Sequence, residues 1–259
     1  MRVMITGATS GIAYEVAKRL MRDGHFLYLC THTEGECKAL LEKVRKETGS
    51  AVCMKVDVTD YQDLEKASKI DIDCLISHAG VGISGSLLDI DIKCLKEVYD
   101  VNLFGNFLLI QKVYQHMEVR GVGGKIFVTS SLAGMLPFLD LSCYTSSKAA
   151  ISMIVFTMRK ELLRRGSRVQ ISLIEPGAYH TGFNQWMIEN CGEIPLDKEV
   201  DVQKRIRLQR NLFALLEKYD LSSIVRKVVR EVERSNPKFK IRAPFLQVIF
   251  TKFYLFFFR

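Results

Sequence analysis

Tyr144 and Lys148 lie four residues apart, with Ser131 a short distance before them. On a helix, positions i and i+4 share a face, so the phenol and the ammonium would project together. A phenol titrates near 10 and is a poor acid or base at neutral pH. A neighbouring ammonium favours the phenolate and lowers that value. A tuned tyrosine can then pass a proton to or from a substrate oxygen, and a serine at a strand mouth can hold the same oxygen by a hydrogen bond. The spacing alone is weak, because Tyr14 and Lys18 repeat it. No strand-end serine precedes that second pair, so it reads as an ordinary helix-surface pair.

The elements that must position these groups lie on either side. Lys125–Thr129 is apolar and β-branched and runs into the hydroxyls of Ser130 and Ser131, the pattern of a buried strand. After a Gly/Pro-bearing loop, Tyr144 opens a helix rich in Ala, Ile and Met. At the start of the chain, Arg2–Thr6 is a short apolar strand. It runs into Thr6-Gly7-Ala8-Thr9-Ser10-Gly11-Ile12-Ala13 and a helix to about Arg22. A strand, a glycine turn and a helix N-terminus suit a pyrophosphate. Strands are expected at 25–31, 51–56, 73–76, 168–174 and 238–241. Helices are expected at 35–48, 60–70, 89–118, 201–218 and 221–234. Asn102 falls inside the mostly apolar 89–118, where its plainest reading is a satisfied buried amide.

Strands alternating with helices imply an α/β fold with a doubly wound parallel sheet. In such sheets the ligand lies at the carboxyl ends of the strands. The tips Val56-Asp57-Val58-Thr59-Asp60, Ser77-His78-Ala79-Gly80, Ser131 and Glu175-Pro176-Gly177-Ala178-Tyr179-His180-Thr181 all fall there. Residues 182–200, with Trp186, Met187 and Pro195, read as an irregular functional lid. Residues 82–88, 135–141 and 179–205 are expected to shape the pocket.

Composition narrows the class. The chain has 259 residues and is 48% hydrophobic, enough for a sizeable core, and this excludes global disorder. Seven scattered cysteines without Cys-x-x-Cys spacing point to reduced thiols in a cytoplasm-like compartment, with no disulfide framework and no metal site. The first strand begins at about Arg2, which leaves no room for a signal peptide. The formal charge is +8, and residues 198–259 hold 15 Lys and Arg against 6 Asp and Glu. No nucleic-acid module accompanies that charge, so nucleic acid is not the expected partner. An anionic membrane surface or an acidic substrate or carrier fits it.

Taken together, Thr6-Gly7-xxx-Gly11-Ile12, Asp57, Ala79-Gly80, Asn102, Ser131, Tyr144-xxx-Lys148 and Pro176-Gly177-xxx-Thr181 resemble the short-chain dehydrogenases/reductases. The match is near-continuous over 2–181 and looser beyond. The resemblance implies one Rossmann-like domain over 1–259. That domain would have about seven parallel strands and helices on both faces, with a core at 2–181, a substrate loop and helices at 182–235, and a hydrophobic tail at 244–259. It implies an enzyme in which Tyr144 is the general acid/base. Lys148 lowers the Tyr144 pKa and binds the nicotinamide ribose, Ser131 orients the substrate oxygen, and Asn102 opens its helix to hold a relay water. Cofactor contacts are implied for Gly7, Thr9, Ser10, Gly11, Ile12, Asp57, Val58, Ala79, Gly80, Tyr144, Lys148, Pro176, Gly177 and Thr181. Two positions depart from the pattern: Ala13 replaces the third glycine, and His78 replaces the Asn before Ala-Gly. The dinucleotide fingerprint tolerates alanine at the former. His78 either substitutes as a hydrogen-bonding group or alters the cofactor contacts.

Cofactor choice falls at Thr31 and His32, where no acidic residue stands to repel a 2′-phosphate. This favours NADP(H) over NAD(H), although Glu34 and Glu36 are close. The tail, Phe245 to Arg259, carries six phenylalanines and falls short of the roughly 20 residues of a spanning helix. It lies in a membrane interface, or it packs on its own substrate loop or a second subunit. The leading reading is an NADP(H)-dependent reductase of a hydrophobic ketone, cytoplasmic, with peripheral membrane contact through 238–259. The resemblance also implies a homodimer or other homo-oligomer. The alternatives are an NAD-linked alcohol dehydrogenase of the hydroxysteroid kind and a non-catalytic dinucleotide-sensing or membrane-associated regulatory protein. Cys143, beside Tyr144, reads as a space-filling residue.

Overall fold

A computed structural model of the chain describes residues 1–190 and 199–257, and the side chains of all of these but 199–202. The strands are β1 (Arg2–Thr6), β2 (Phe26–Thr31), β3 (Ser50–Lys55), β4 (Cys74–Ser77), β5 (Lys125–Thr129), β6 (Gln170–Pro176) and β7 (Lys240–Ala243). The helices are α1 (Gly11–Arg22), α2 (Glu34–Val44), α3 (Tyr61–Ser68), α4 (Ile92–Tyr99), α5 (Asn106–Val119), α6 (Ser142–Arg164), α7 (Phe183–Glu189), α8 (Glu199–Leu216), α9 (Ser222–Glu233) and α10 (Phe245–Phe257).

The strands are apolar on both faces, so both faces must be covered. Successive residues of β1 part company: Val3 and Ile5 join one buried layer and Met4 the other. In the first layer α1, α2 and α9 bury Ile12, Val16, Leu20, Leu40, Val228 and Val232. In the second, α3, α5 and α6 bury Leu64, Leu109, Val113, Ile151 and Val155. The sheet order is β3-β2-β1-β4-β5-β6-β7, and every pairing is parallel. The order reverses between β1 and β4. The loops leaving these two strands therefore diverge and open a crevice at their carboxyl ends.

Local signals account for the helix starts beside that crevice. Thr33 caps α2 through the Glu36 N–H, while the Glu36 carboxylate returns to the Thr33 N–H, a reciprocal capping box. Asp60 accepts the N–H groups of Gln62 and Asp63 and starts α3.

Three regions depart from the sequence reading. Residues 89–118 are not one helix, because α4 ends at Tyr99 and a wide π-turn, Asp100–Gly105, intervenes before α5. Within 182–200, Phe183–Glu189 is the helix α7 and α8 starts at Glu199, so these parts are not irregular; residues 191–198, with Cys191 and Pro195, lie outside the described residues. The tail is the helix α10, and no helix among the described residues is long and apolar enough to cross a membrane.

Candidate active site

Tyr144 stands in the first turn of α6 and Ser131 just beyond β5, and both line one cavity of about 1530 Å³. Ser131 caps a short 3-10 turn, Leu132–Met135, by accepting the Ala133 N–H at 3.1 Å. That bond fixes its side chain at the mouth of the strand. Burial pushes the Tyr144 phenol up to about 12, and a hydrogen bond with Ser131 pulls in the opposite direction. Lys148 is buried, and its Nζ donates to the Thr129 carbonyl at 3.1 Å. Burial lowers its pKa to about 8. The expected ammonium–phenol tuning is therefore not what the geometry gives. The ammonium is turned toward Thr129, 5.7 Å from the centre of the Tyr144 ring, and burial decides the phenol's titration. At neutral pH Tyr144 is a protonated donor.

Asn102 sits within the π-turn and is fully buried. Its Oδ1 accepts the Val81 N–H at 2.8 Å, and its Nδ2 donates to the Val81 carbonyl at 2.8 Å and to Ser147 Oγ at 2.9 Å. The plain reading of a satisfied amide holds for this side chain, which ties the loop after β4 to α6. Asn106, which sequence reasoning missed, does similar work. It accepts from Ser77 Oγ at 2.5 Å and donates to the Ala79 carbonyl at 3.0 Å. Its signal was a second Asn four residues after the first, in the same apolar stretch.

His78 pairs through Nδ1 with Thr129 Oγ1 at 2.9 Å. Burial, helped by the Lys148 charge, depresses its pKa to about 4, so the ring is neutral. It substitutes as a hydrogen-bonding group and shares Thr129 with Lys148. The backbone N–H groups of His78 and Ala79 both donate to Thr6 Oγ1, at 2.9 and 3.1 Å. Thr6 thereby closes the turn between the two diverging loops.

The cavity floor fits a dinucleotide. Gly7 holds φ +65°, and a Cβ there would approach Ala79 Cα to 3.0 Å. At Gly80 a Cβ would lie 3.1 Å from Asn102 Oδ1 and 3.2 Å from Lys148 Nζ. The N-terminus of α1 opens on this floor with no acidic residue in its first turn, which suits an anion. Gly7, Thr9, Ser10, Gly11, Ile12, His32, Asp57, Val58, Ala79, Gly80, Pro176, Gly177 and Thr181 all line the same cavity as Tyr144 and Lys148.

Thr31 does not join them. It is buried, and its hydroxyl donates to the Thr33 carbonyl at 3.1 Å. His32 and Glu36 face the cavity in its place. The Glu36 carboxylate accepts the N–H groups of both His32 and Thr33, at 3.0 and 3.1 Å. His32 Nε2 lies 3.3 Å from Asp57 Oδ2.

The far end of the cavity is apolar, lined by Leu136, Phe138, Trp186, Leu212, Phe213 and Phe250. Phe183 sets its ring 5.5 Å from that of Tyr144. Residues 82–88 do not line this cavity; Ser86, Leu87 and Leu88 border a separate smaller one. The loop after β6 is held to the end of α8 by Glu217. Its buried carboxylate meets His180 Nδ1 at 2.6 Å and accepts from Asn184 at 2.7 Å and Gln185 at 2.8 Å. Gln247 of α10 seals the other side, accepting the Ala178 N–H at 2.7 Å and donating to the Leu216 carbonyl at 2.8 Å.

The chain matches the family model described as short chain dehydrogenase over residues 1–191. It is 30% identical over 206 residues to farnesol dehydrogenase of Aedes aegypti, covering 76% of this chain and 84% of the relative. It is 30% identical over 226 residues to the NADPH-dependent 3-dehydrocapnine reductase of Ornithobacterium rhinotracheale, covering 79% of this chain and 78% of the relative. A solved short chain dehydrogenase/reductase from Burkholderia phymatum in complex with NAD shares the fold, with a TM-score of 0.77 at 19% identity over 97% of this chain and 91% of that one.

Proposed function

The chain belongs to the short-chain dehydrogenase family, and from that premise we propose that it is an NADP(H)-dependent reductase of a hydrophobic, lipid-like ketone. It is an oxidoreductase that uses a nicotinamide cofactor. The observation that carries the finer reading is the pairing of two donors, the Ser131 hydroxyl and a protonated Tyr144, at the junction of a dinucleotide floor and an apolar chamber.

A bound reduced nicotinamide brings a hydride for the carbonyl carbon. The chain's own part is to bind, orient and protonate. Gly7, Ser10, Gly11 and Ile12 would hold the pyrophosphate at the α1 N-terminus, Asp57 and Val58 the adenine, and Thr9, His32, Ala79, Gly80, Pro176, Gly177 and Thr181 the rest of the dinucleotide. Lys148, which donates to the Thr129 carbonyl, would hold the nicotinamide ribose. Ser131 donates to the substrate oxygen and fixes it against Tyr144. As that oxygen gains electron density, the Tyr144 O–H gives up its proton, and a water in the π-turn of Asn102 resupplies it. Trp186, Leu212, Phe213 and Phe250 exclude bulk water and favour an alkyl or ring-bearing ketone. The exposed side chains of Met153 and Leu163 on α6 and of Phe104 in the π-turn fit a homodimer face. The six described free cysteines fit a reducing cytoplasm.

NADPH oxidation against ketones graded from small and polar to long-chain tests this. Tyr144→Phe should lower kcat by about 10²–10⁴ while leaving dinucleotide affinity within a few-fold. Comparable turnover in the variant would sink the assignment. A second reading, an NAD-linked alcohol dehydrogenase, draws on Glu36, whose carboxylate already occupies two N–H groups that a 2′-phosphate could use. The ratio of NADPH to NADH affinity separates the two. If dinucleotide bound tightly and no carbonyl compound or alcohol was turned over, a non-catalytic sensor would be favoured.

A further inference from the structure

A helix on the surface of a soluble protein ordinarily turns its apolar side inward, and α10 does the reverse. Its inward positions include Gln247 and the buried Thr251, whose hydroxyl donates to the Gln247 carbonyl at 2.8 Å. Its outward stripe is Leu246, Ile249, Phe250, Phe253, Phe256 and Phe257, with Leu246 at 78% and Phe256 at 82% exposure. The C-terminal half of α8 repeats the inversion: Gln209 is buried while Leu208, Leu212, Leu215 and Leu216 are exposed. The two helices meet where Gln247 donates to the Leu216 carbonyl. Their outward side chains therefore form one apolar face, of the kind that marks an interaction site.

The charge carried by these two helical stretches has one sign. No Asp or Glu occurs in 203–216 or 245–257, whereas Lys204, Arg205, Arg207, Arg210 and Lys252 do. Arg205 and Arg210 pair with Asp140 and Glu189, and Lys204, Arg207 and Lys252 are exposed. A second copy laid on this face about a two-fold axis would set cation against cation. An anionic bilayer answers both features, with an acyl interior for the phenylalanines and headgroups for the cations. The face also opens inward, because Leu212, Leu216 and Phe250 line the same cavity as Tyr144.

We infer that α10 and the end of α8 seat this protein on an anionic lipid bilayer, and that a membrane-resident ketone enters the active site between the two helices. The seat is independent of the proposed reaction; the entry route rests on it. Sedimentation with phosphatidylcholine vesicles, with and without phosphatidylserine, tests the seat without turnover. The wild-type protein and Tyr144→Phe should both sediment with the anionic vesicles, and added salt should weaken them. Phe253→Ser/Phe256→Ser changes two exposed residues that do not line the cavity, and it should cut vesicle affinity by about tenfold or more. Its turnover of a small soluble ketone should stay within twofold, which controls for folding. Its turnover of a ketone embedded in vesicles should fall about tenfold. Failure of the wild-type protein to bind anionic vesicles overturns the seat, as does a dimer in solution that the double substitution dissociates. Equal turnover of the embedded ketone by variant and wild type overturns the entry route. Loss of turnover on every ketone, with vesicle binding intact, counts against the proposed reaction alone.

Discussion

Lys148 offers the sharpest test of the site's energetics. Its ammonium is buried, and burial moves its pKa from 10.5 to about 8. A tenfold change in proton affinity is worth about 1.4 kcal/mol. Holding Lys148 charged at pH 7 therefore costs the folded state about 3 kcal/mol relative to the unfolded chain. The sign follows from proton counts. Between pH 8 and 10.5 the unfolded chain binds more protons at this residue, so stability rises with pH. The penalty is complete below about pH 8. Raising the pH from 7 to 9.5 should return about 2 kcal/mol. Lys148→Met removes the charge and keeps the bulk, but it leaves the Thr129 carbonyl without its donor, a loss of about 1–2 kcal/mol. The variant should thus be inactive yet more stable at pH 7 by about 1–2 kcal/mol, or about 2–4 °C in Tm for a domain of this size. Urea unfolding of both proteins at pH 7 and 9.5 checks this, because other titrating groups cancel in the difference. A variant less stable than wild type at pH 7, or a difference that does not shrink by pH 9.5, refutes the reasoning.

His78 follows the same sign in a lower pH window. Its pKa falls from 6.5 to about 4, so the stability it supports is complete above pH 6.5 and lost as the pH falls toward 4, by up to about 3 kcal/mol. His78→Asn should flatten that acid limb in pH-resolved denaturation, and a variant that keeps the full limb would assign the loss to other groups. Phe127 is fully buried on β5, an inner strand of the sheet. Phe127→Ala should cost about 3–5 kcal/mol in urea unfolding, and a loss below about 1 kcal/mol would mean that the core collapses around the gap.

Much of the architecture was open to a reader of the sequence because its signals are local. The β1 strand, its glycine turn and α1 are contiguous, and the strand-end hydroxyls of Ser130 and Ser131 announce the ligand edge. The Tyr14–Lys18 pair lies on the helix surface as expected, with Lys18 Nζ 5.2 Å from the centre of the Tyr14 ring. Cys143 fills space in the core, its thiol pushed up by burial. What escaped depends on distant partners. Spacing placed Lys148 beside Tyr144 but could not show that the Thr129 carbonyl would claim its ammonium. Thr31 and His32 sit side by side, and only the strand's exact end decides which of them meets the cavity. Helix α7 has seven residues, too few for an apolar period to emerge. The inversion of α10 is invisible to hydropathy, which records how apolar a segment is and not which way it faces.

The bond from Gln247 to Ala178 also bears on the order in which the protein becomes competent. Ser131, Tyr144 and Lys148 are translated long before Gln247, so a growing chain holds its reactive groups while the loop after β6 still lacks the second of its two braces. Parallel sheets close slowly because their pairings join distant residues, and β7 is the strand that completes this one. Helix α10 follows β7 directly, and the cavity gains that wall only when α10 arrives. Its phenylalanine-rich outer face thus reaches solvent after the chain of β1 through β7 has been made. This exposed apolar face is kept off the ribosome until the polypeptide of the sheet beneath it is complete.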